Sequence, residues 1–170
     1  MKKILLFILL FISFHSYSQI NERGIPLITN YNAQLYKASD QNWCVTQDNR
    51  GIIYFGNTDG VIVEYDGVNW RKISSENESF IRSLYYDDKG QVLYVGAVGE
   101  IGYLKPTLNG DYIYENLKNK LDTTVNFNNV WQILNYNDTI IFSSSQYLLF
   151  YKDLEFIKKI KHLEHSFFSF

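Results

Sequence analysis

His162 and His165 form a His-x-x-His pair. On a helix that spacing would let two imidazoles share a metal; on a strand it sets them on opposite faces. No cysteine or aspartate cluster accompanies them, so no metal site is expected. Cys44 is the single cysteine and stands between Trp43 and Val45. Without a basic neighbour to hold its thiolate it reads as a small buried side chain, not a nucleophile. A lone cysteine also excludes an internal disulfide. Asp48, Asp59, Asp66, Asp87 and Asp88 could supply paired carboxylates for acid–base work. Each, however, falls at a turn signal, where aspartate bonds nearby backbone groups. Trp43, Trp70 and Trp131 could stack on a sugar ring; their repeat-related strand positions make them expected core between blades. No glycine-rich phosphate loop is present. These residues predict no catalytic set and no cofactor.

The elements that must carry these residues come as a repeat. Asp48-Asn49-Arg50-Gly51-Ile52-Ile53-Tyr54-Phe55-Gly56-Asn57 is answered by Asp87-Asp88-Lys89-Gly90-Gln91-Val92-Leu93-Tyr94-Val95-Gly96-Ala97. The two Asp-x-x-Gly turns start 39 residues apart, and Gly56 and Gly96 lie 40 apart. A period near 40 with a turn ahead of a β-rich run is the pattern of propeller blades. The runs Ile52–Phe55 and Val92–Val95 do not alternate, as expected of a sheet covered on both faces. Gln91 is one residue too many beside the first repeat, and since a one-residue slip inverts every side chain, a bulge or longer turn must absorb it. Gly56 and Gly96 fit where strands crowd near a propeller axis.

Four short strands joined by two- to four-residue turns are predicted in each of three groups. The first is Trp43–Gln47, Ile52–Gly56, Val61–Tyr65 and Trp70–Ile73. The second is Ile81–Tyr86, Val92–Gly96, Glu100–Leu104 and Tyr112–Tyr114. The third is Val130–Asn135, Thr139–Ser143, Tyr147–Tyr151 and Glu155–Ile160. Residues 19–41 read as an irregular lead-in, broken by Gly24, Pro26, Asn30 and Asn32. Thr107 to Asn129 reads as a long polar connector with one short strand. Leu154, Ile157, Ile160 and Leu163 recur at near-helical spacing, yet the repeat places a strand there. The expected fold is all-β: a partial β-propeller of three four-stranded antiparallel blades at about 42–73, 80–114 and 129–160. Residues 165–170 read as the start of a further blade, so the chain is expected to be an N-terminal piece of a longer protein.

Residues 1–18 stand apart. Lys2 and Lys3 precede an apolar run from Ile4 to Phe14, and Ser16 and Ser18 place small residues at −3 and −1 before Gln19. This is a secretory signal peptide in form, cut between Ser18 and Gln19. Residues 4–14 are too few to span a bilayer, which needs about 20. With Lys2 and Lys3 gone from the 16 basic residues, 14 remain against 18 acidic ones, a formal charge of −4. That argues against a nucleic-acid partner. Lys158, Lys159 and Lys161 read as a solvated face.

Asp48, Gly51, Tyr54, Gly56 and Asn57, followed by Gly60-Val61 and Tyr65-Asp66-Gly67, resemble the two-component regulator propeller repeat. Asp87, Gly90, Tyr94, Val95 and Gly96 match it less fully. In that family such propellers lie outside the cytoplasm, ahead of a Tyr-rich sandwich, a membrane helix and a kinase or DNA-binding output. The resemblance implies a non-catalytic periplasmic sensor fragment that takes an extracellular ligand, a glycan among the candidates, and pairs in the full-length protein. A secreted polysaccharide-acting enzyme and an adhesive repeat protein are the alternatives.

Overall fold

The computed structural model describes residues 28–122 and 124–161. Contacts divide the chain into Met1–Asn30 and Tyr31–Phe170, and the second unit holds all the elements below. Ser18, Gln19, His162, His165 and residues 165–170 lie outside the described residues.

Among the described residues, twelve strands form three four-stranded antiparallel sheets, each in sequence order. Blade 1 is β1 (Asn42–Gln47), β2 (Ile53–Asn57), β3 (Val61–Tyr65) and β4 (Trp70–Ser74). Blade 2 is β5 (Ile81–Asp87), β6 (Val92–Ala97), β7 (Ile101–Pro106) and β8 (Tyr112–Asn116). Blade 3 is β9 (Val130–Tyr136), β10 (Thr139–Ser144), β11 (Tyr147–Lys152) and β12 (Glu155–Lys161). The first strands lie side by side, β1 against β5 and β5 against β9. This is the all-β, partial-propeller architecture that the 40-residue period requires. The segment readable as helix or strand is strand β12. Among the described residues no helix is long and apolar enough to cross a membrane.

The central strands are buried on both faces, which explains why they do not alternate. Between blades 1 and 2, Tyr54, Ile62 and Ile73 meet Ile81, Leu93, Val95 and Leu104. Between blades 2 and 3, Tyr94 and Ile101 meet Val130, Ile133, Phe142, Leu149 and Tyr151. Each such side chain contributes about 1.5–3 kcal/mol on leaving water. Hydrophobic burial on both faces therefore holds the blades together.

The turns show how the extra Gln91 is accommodated. Gly56 pairs with Cys44 and Gly96 with Ser83, so the repeats are in phase at their glycines. Gly51 takes φ +87° in the first turn; in the second, Gln91 takes the left-handed place at φ +52°. The insertion is absorbed wholly in the turn, and the strand register survives. In blade 3, Asn137 and Asp138 both have positive φ and close a two-residue hairpin between Tyr136 and Thr139.

Two stretches differ from the sequence-based expectation. The lead-in is not irregular throughout: Ala33–Tyr36 form a short helix, α1, capped by the Asn32 side chain, which accepts from the Leu35 N–H at 3.2 Å. Its Tyr36 packs on Val61 and Val63 of blade 1. The connector is not merely polar either. Leu117, Leu121, Val125 and Phe127 are buried in the core between blades 2 and 3. The Tyr151 hydroxyl donates to the Leu117 carbonyl at 3.1 Å. Their spacing would suit a helix face, yet among the described residues there only Lys118–Lys120 form a short 3-10 turn, so the pattern alone misplaces them.

Candidate functional site

The first strand of each blade carries a β-bulge in the same place; blade 3 has a further one between β11 and β12. The ladder of β1 with β2 slips between Asn42 and Cys44, that of β5 with β6 between Ile81 and Ser83. In blade 3, Ser144 pairs with Val130 while Ser143 pairs with Gln132. The residues left out of the three ladders are Trp43, Arg82 and Trp131. A bulge kinks the strand and re-aims its extra side chain. Repeated on three adjacent inner strands, it sends three side chains to one place.

They meet there. The Arg82 guanidinium carbon lies 3.9 Å from the ring centroid of Trp43 and 5.1 Å from that of Trp131. Phe80, at the foot of β5, adds a third ring at 5.5 Å. The two indoles meet edge to face at 6.4 Å. Arg82 Nε donates to Asn129 Oδ1 at 3.0 Å, and Trp43 Nε1 donates to Thr58 Oγ1 at 3.2 Å. Trp43 is 43% exposed and Trp131 52%. This overturns the expectation that all three tryptophans are core between sheets. The bulge takes Trp131 out of step with buried Ile133, and Trp43 shares the exposed face of β1 with Val45. Trp70 is half-buried, but it stacks on Tyr65 at 4.2 Å and packs beside Tyr36, on the side of blade 1 away from blade 2. What this cluster can do is bind: it offers exposed aromatic faces around a fixed cation. Arg82 carried no sequence signal, because only the register shows it to be equivalent to the two tryptophans.

The Asp-x-x-Gly turns sit at the opposite ends of the same strands, Gly56 and Gly96 beside the bulges, and all do structural work. The Asp48 carboxylate is buried and collects donors from one turn and one strand. Its Oδ1 accepts from the backbone N–H of Arg50 at 2.9 Å and of Ile52 at 3.0 Å. Its Oδ2 accepts from Arg50 Nη2 at 2.6 Å and from the Tyr54 hydroxyl at 3.2 Å. Burial alone would raise its pKa, but the bonds from the Arg50 side chain and the two backbone N–H groups win and hold it below 3.8. Arg50 Nη2 also donates to the Tyr112 hydroxyl of β8 at 2.8 Å, tying the first turn to blade 2. Burial pushes the Tyr54 hydroxyl well above its usual range. Asp87 is more open, accepting from the Gly90 N–H at 3.0 Å and Asn135 Nδ2 at 3.3 Å. Tyr94 packs edge-on against Phe142, and burial pushes its hydroxyl up to about 12. Gly56 and Gly96 lie where the next blade's first residue presses in. Cys44 is half-buried against Gly56, and burial pushes its thiol up to about 12.

Among the described residues, no group of three or more His, Cys, Asp or Glu is placed to hold a metal. Beside Asp48, two further buried carboxylates occur, in different blades. Glu64 on β3 pairs with Arg71; Glu100, ahead of β7, accepts from the Glu76 N–H at 3.0 Å.

No protein-family profile matches the chain, and no curated protein matches it in sequence. A solved structure, YCF48 from Cyanidioschyzon merolae, resembles it with a TM-score of 0.50 at 12% identity. The match covers 74% of this chain and 41% of YCF48, so the chain spans well under half of that protein's length. YCF48 is a β-propeller. At this identity the likeness is one of fold, and it agrees with the three-blade architecture.

Proposed function

We propose that this chain is a non-catalytic, extracytoplasmic ligand-binding part of a bacterial signal-transduction regulator. The observation that carries the binding role is the convergence of three equivalent bulged residues, Trp43, Arg82 and Trp131, on one exposed cluster. Bulges cost ladder bonds, and their repetition at a point of aromatic exposure fits recognition better than packing. The leader in residues 1–18 supports an exported, periplasmic location. The Asp-x-x-Gly repeat supports the regulator assignment, with a membrane helix, an output domain and self-pairing belonging to the full-length protein. Glycans are the first ligand class to test, because exposed indoles stack on sugar faces.

Calorimetric titration of the exported chain with a panel of soluble oligosaccharides tests this. Trp131→Ala is the site variant. Lys89→Ala, in the turn at the far end of β5, is the control. Binding that is lost in the first variant and kept in the second is the expected result. A panel without a binder, or binding indifferent to Trp131→Ala, overturns the cluster as the ligand site.

A further inference from the structure

The proposed site also carries a charge that nothing among the described residues answers. Arg82 makes no ion pair: among the described residues the salt bridges involve Arg50, Arg71, Lys89, Lys105 and Lys120. Its Nε is held by Asn129, while Nη1 is shielded from water and has no acceptor. Shielding a guanidinium nitrogen without an acceptor is unfavourable unless something supplies one. Its flat face is covered by Trp43 at 3.9 Å. The remaining donors, Nη1 and Nη2, lie in the plane of the group, and since Nη1 is closed off from water a ligand oxygen reaches it only when a covering side chain moves.

We propose that Arg82 is the anchor for a ligand carboxylate, and that Trp43, Trp131 and Phe80 hold the body attached to it. Resting on the ligand-binding reading above, this names the group recognised. Three features select a carboxylate. A planar fork of N–H donors matches a planar pair of oxygens, which a single ammonium would not do. The cluster's one cationic side chain among the described residues suits a monoanion; a phosphate dianion would call for further lysines or arginines. The walls are half-exposed indoles, so the ligand must carry a flat or CH-rich body beside its acid. Two sources share this chemistry: a uronic sugar and an aryl acid.

The test is calorimetric titration of the full chain with D-glucuronate and benzoate, and with their neutral counterparts glucose and benzamide. Wild type is compared with Arg82→Gln, Arg82→Lys and Trp131→Ala, each checked for native circular dichroism. One or both acids should bind more tightly than the neutral partner, and Arg82→Gln should weaken that acid about tenfold or more. Arg82→Lys should recover only part of the loss, since it restores charge without the fork. Preference for glucuronate assigns the sugar source; preference for benzoate assigns the aryl one. Equal binding of acid and neutral partner, still lost in Trp131→Ala, overturns the carboxylate and leaves the cluster as a ligand site. Absence of binding by all four compounds, or acid binding unchanged in Arg82→Gln, also overturns it. Should Arg82→Gln not fold, Arg82→Lys and the acid-over-neutral preference of wild type decide.

Discussion

Gly56 of β2 lies against Ile81, the first residue of the next blade's inner strand. A Cβ added to Gly56 would sit 2.6 Å from Ile81 Cγ2 and would also collide with Cys44 Sγ. Gly96 stands in the same relation to Val130, at 2.7 Å from its Cγ1. In both places a β-branched residue fills the space a glycine leaves, and the blades approach through that gap. Ser143 takes the equivalent place in blade 3, opposite Gln132 in its own sheet.

Gly56→Ala and Gly96→Ala are accordingly expected to destabilise by about 1–3 kcal/mol each, because stiff branched neighbours must move. The check is urea denaturation. Gly56→Ala combined with Ile81→Ala should cost less than the sum of the two single changes, since the truncated neighbour makes room for the new methyl. Strict additivity would show that the contact with Ile81 is not what requires glycine.

Asp48 and Asp87 begin the two repeats but should respond differently. Asp48→Asn removes a buried anion that serves Arg50 and Tyr54, at a cost of about 2 kcal/mol. Asp87 is partly open to water, and Asp87→Asn should change stability by about 0.5 kcal/mol or less. The pH dependence has a definite sign. The folded pKa of Asp48 lies below the ordinary 3.8, so its contribution is complete above that value and fades as pH falls through the depressed one. Denaturation curves at neutral pH and near pH 3 should show Asp48→Asn closing much of its gap to wild type in acid.

Much of this architecture is legible from spacing. Turn signals at Asp48 and Asp87, with in-phase glycines at 56 and 96, suffice for blade boundaries and strand order, because a four-stranded meander leaves few alternatives once its period is known. The ligand-facing cluster is not legible in the same way. A bulge is a property of pairing between two strands, and Trp43, Arg82 and Trp131 share neither residue type nor local motif. The helix α1 escaped because one capped turn is too short to show a period. Leu117 and its buried neighbours escaped because they follow an irregular path fixed by the gap between two blades.

Cys44 gives a direct probe of the same inner-strand packing. Burial raises its thiol to about 12, opposed only in part by a backbone hydrogen bond with Gly56. Thiolate is therefore scarce at about pH 8, and maleimide labelling of the native chain should be slow. In urea the label should enter at the rate of a free thiol. Rapid native labelling would mean that β1 opens readily from β2.

Leu117, in the connector between blades 2 and 3, and Leu108, in the β7–β8 turn of blade 2, carry opposite expectations. Leu117 is 1% exposed and packs among Leu121, Val125 and Phe127 beneath Tyr151, whereas Leu108 is fully exposed at the tip of the β7–β8 turn. Leu117→Ala leaves a cavity that its neighbours cannot collapse into, because the Tyr151 hydroxyl is bonded to the Leu117 carbonyl and the ring is wedged against Phe142. The expected cost is about 3 kcal/mol. Leu108→Ala should stay within about 0.5 kcal/mol of wild type. Thermal denaturation of the two variants distinguishes a connector that joins the cores of blades 2 and 3 from one that merely spans them; equal melting temperatures would show that it only spans.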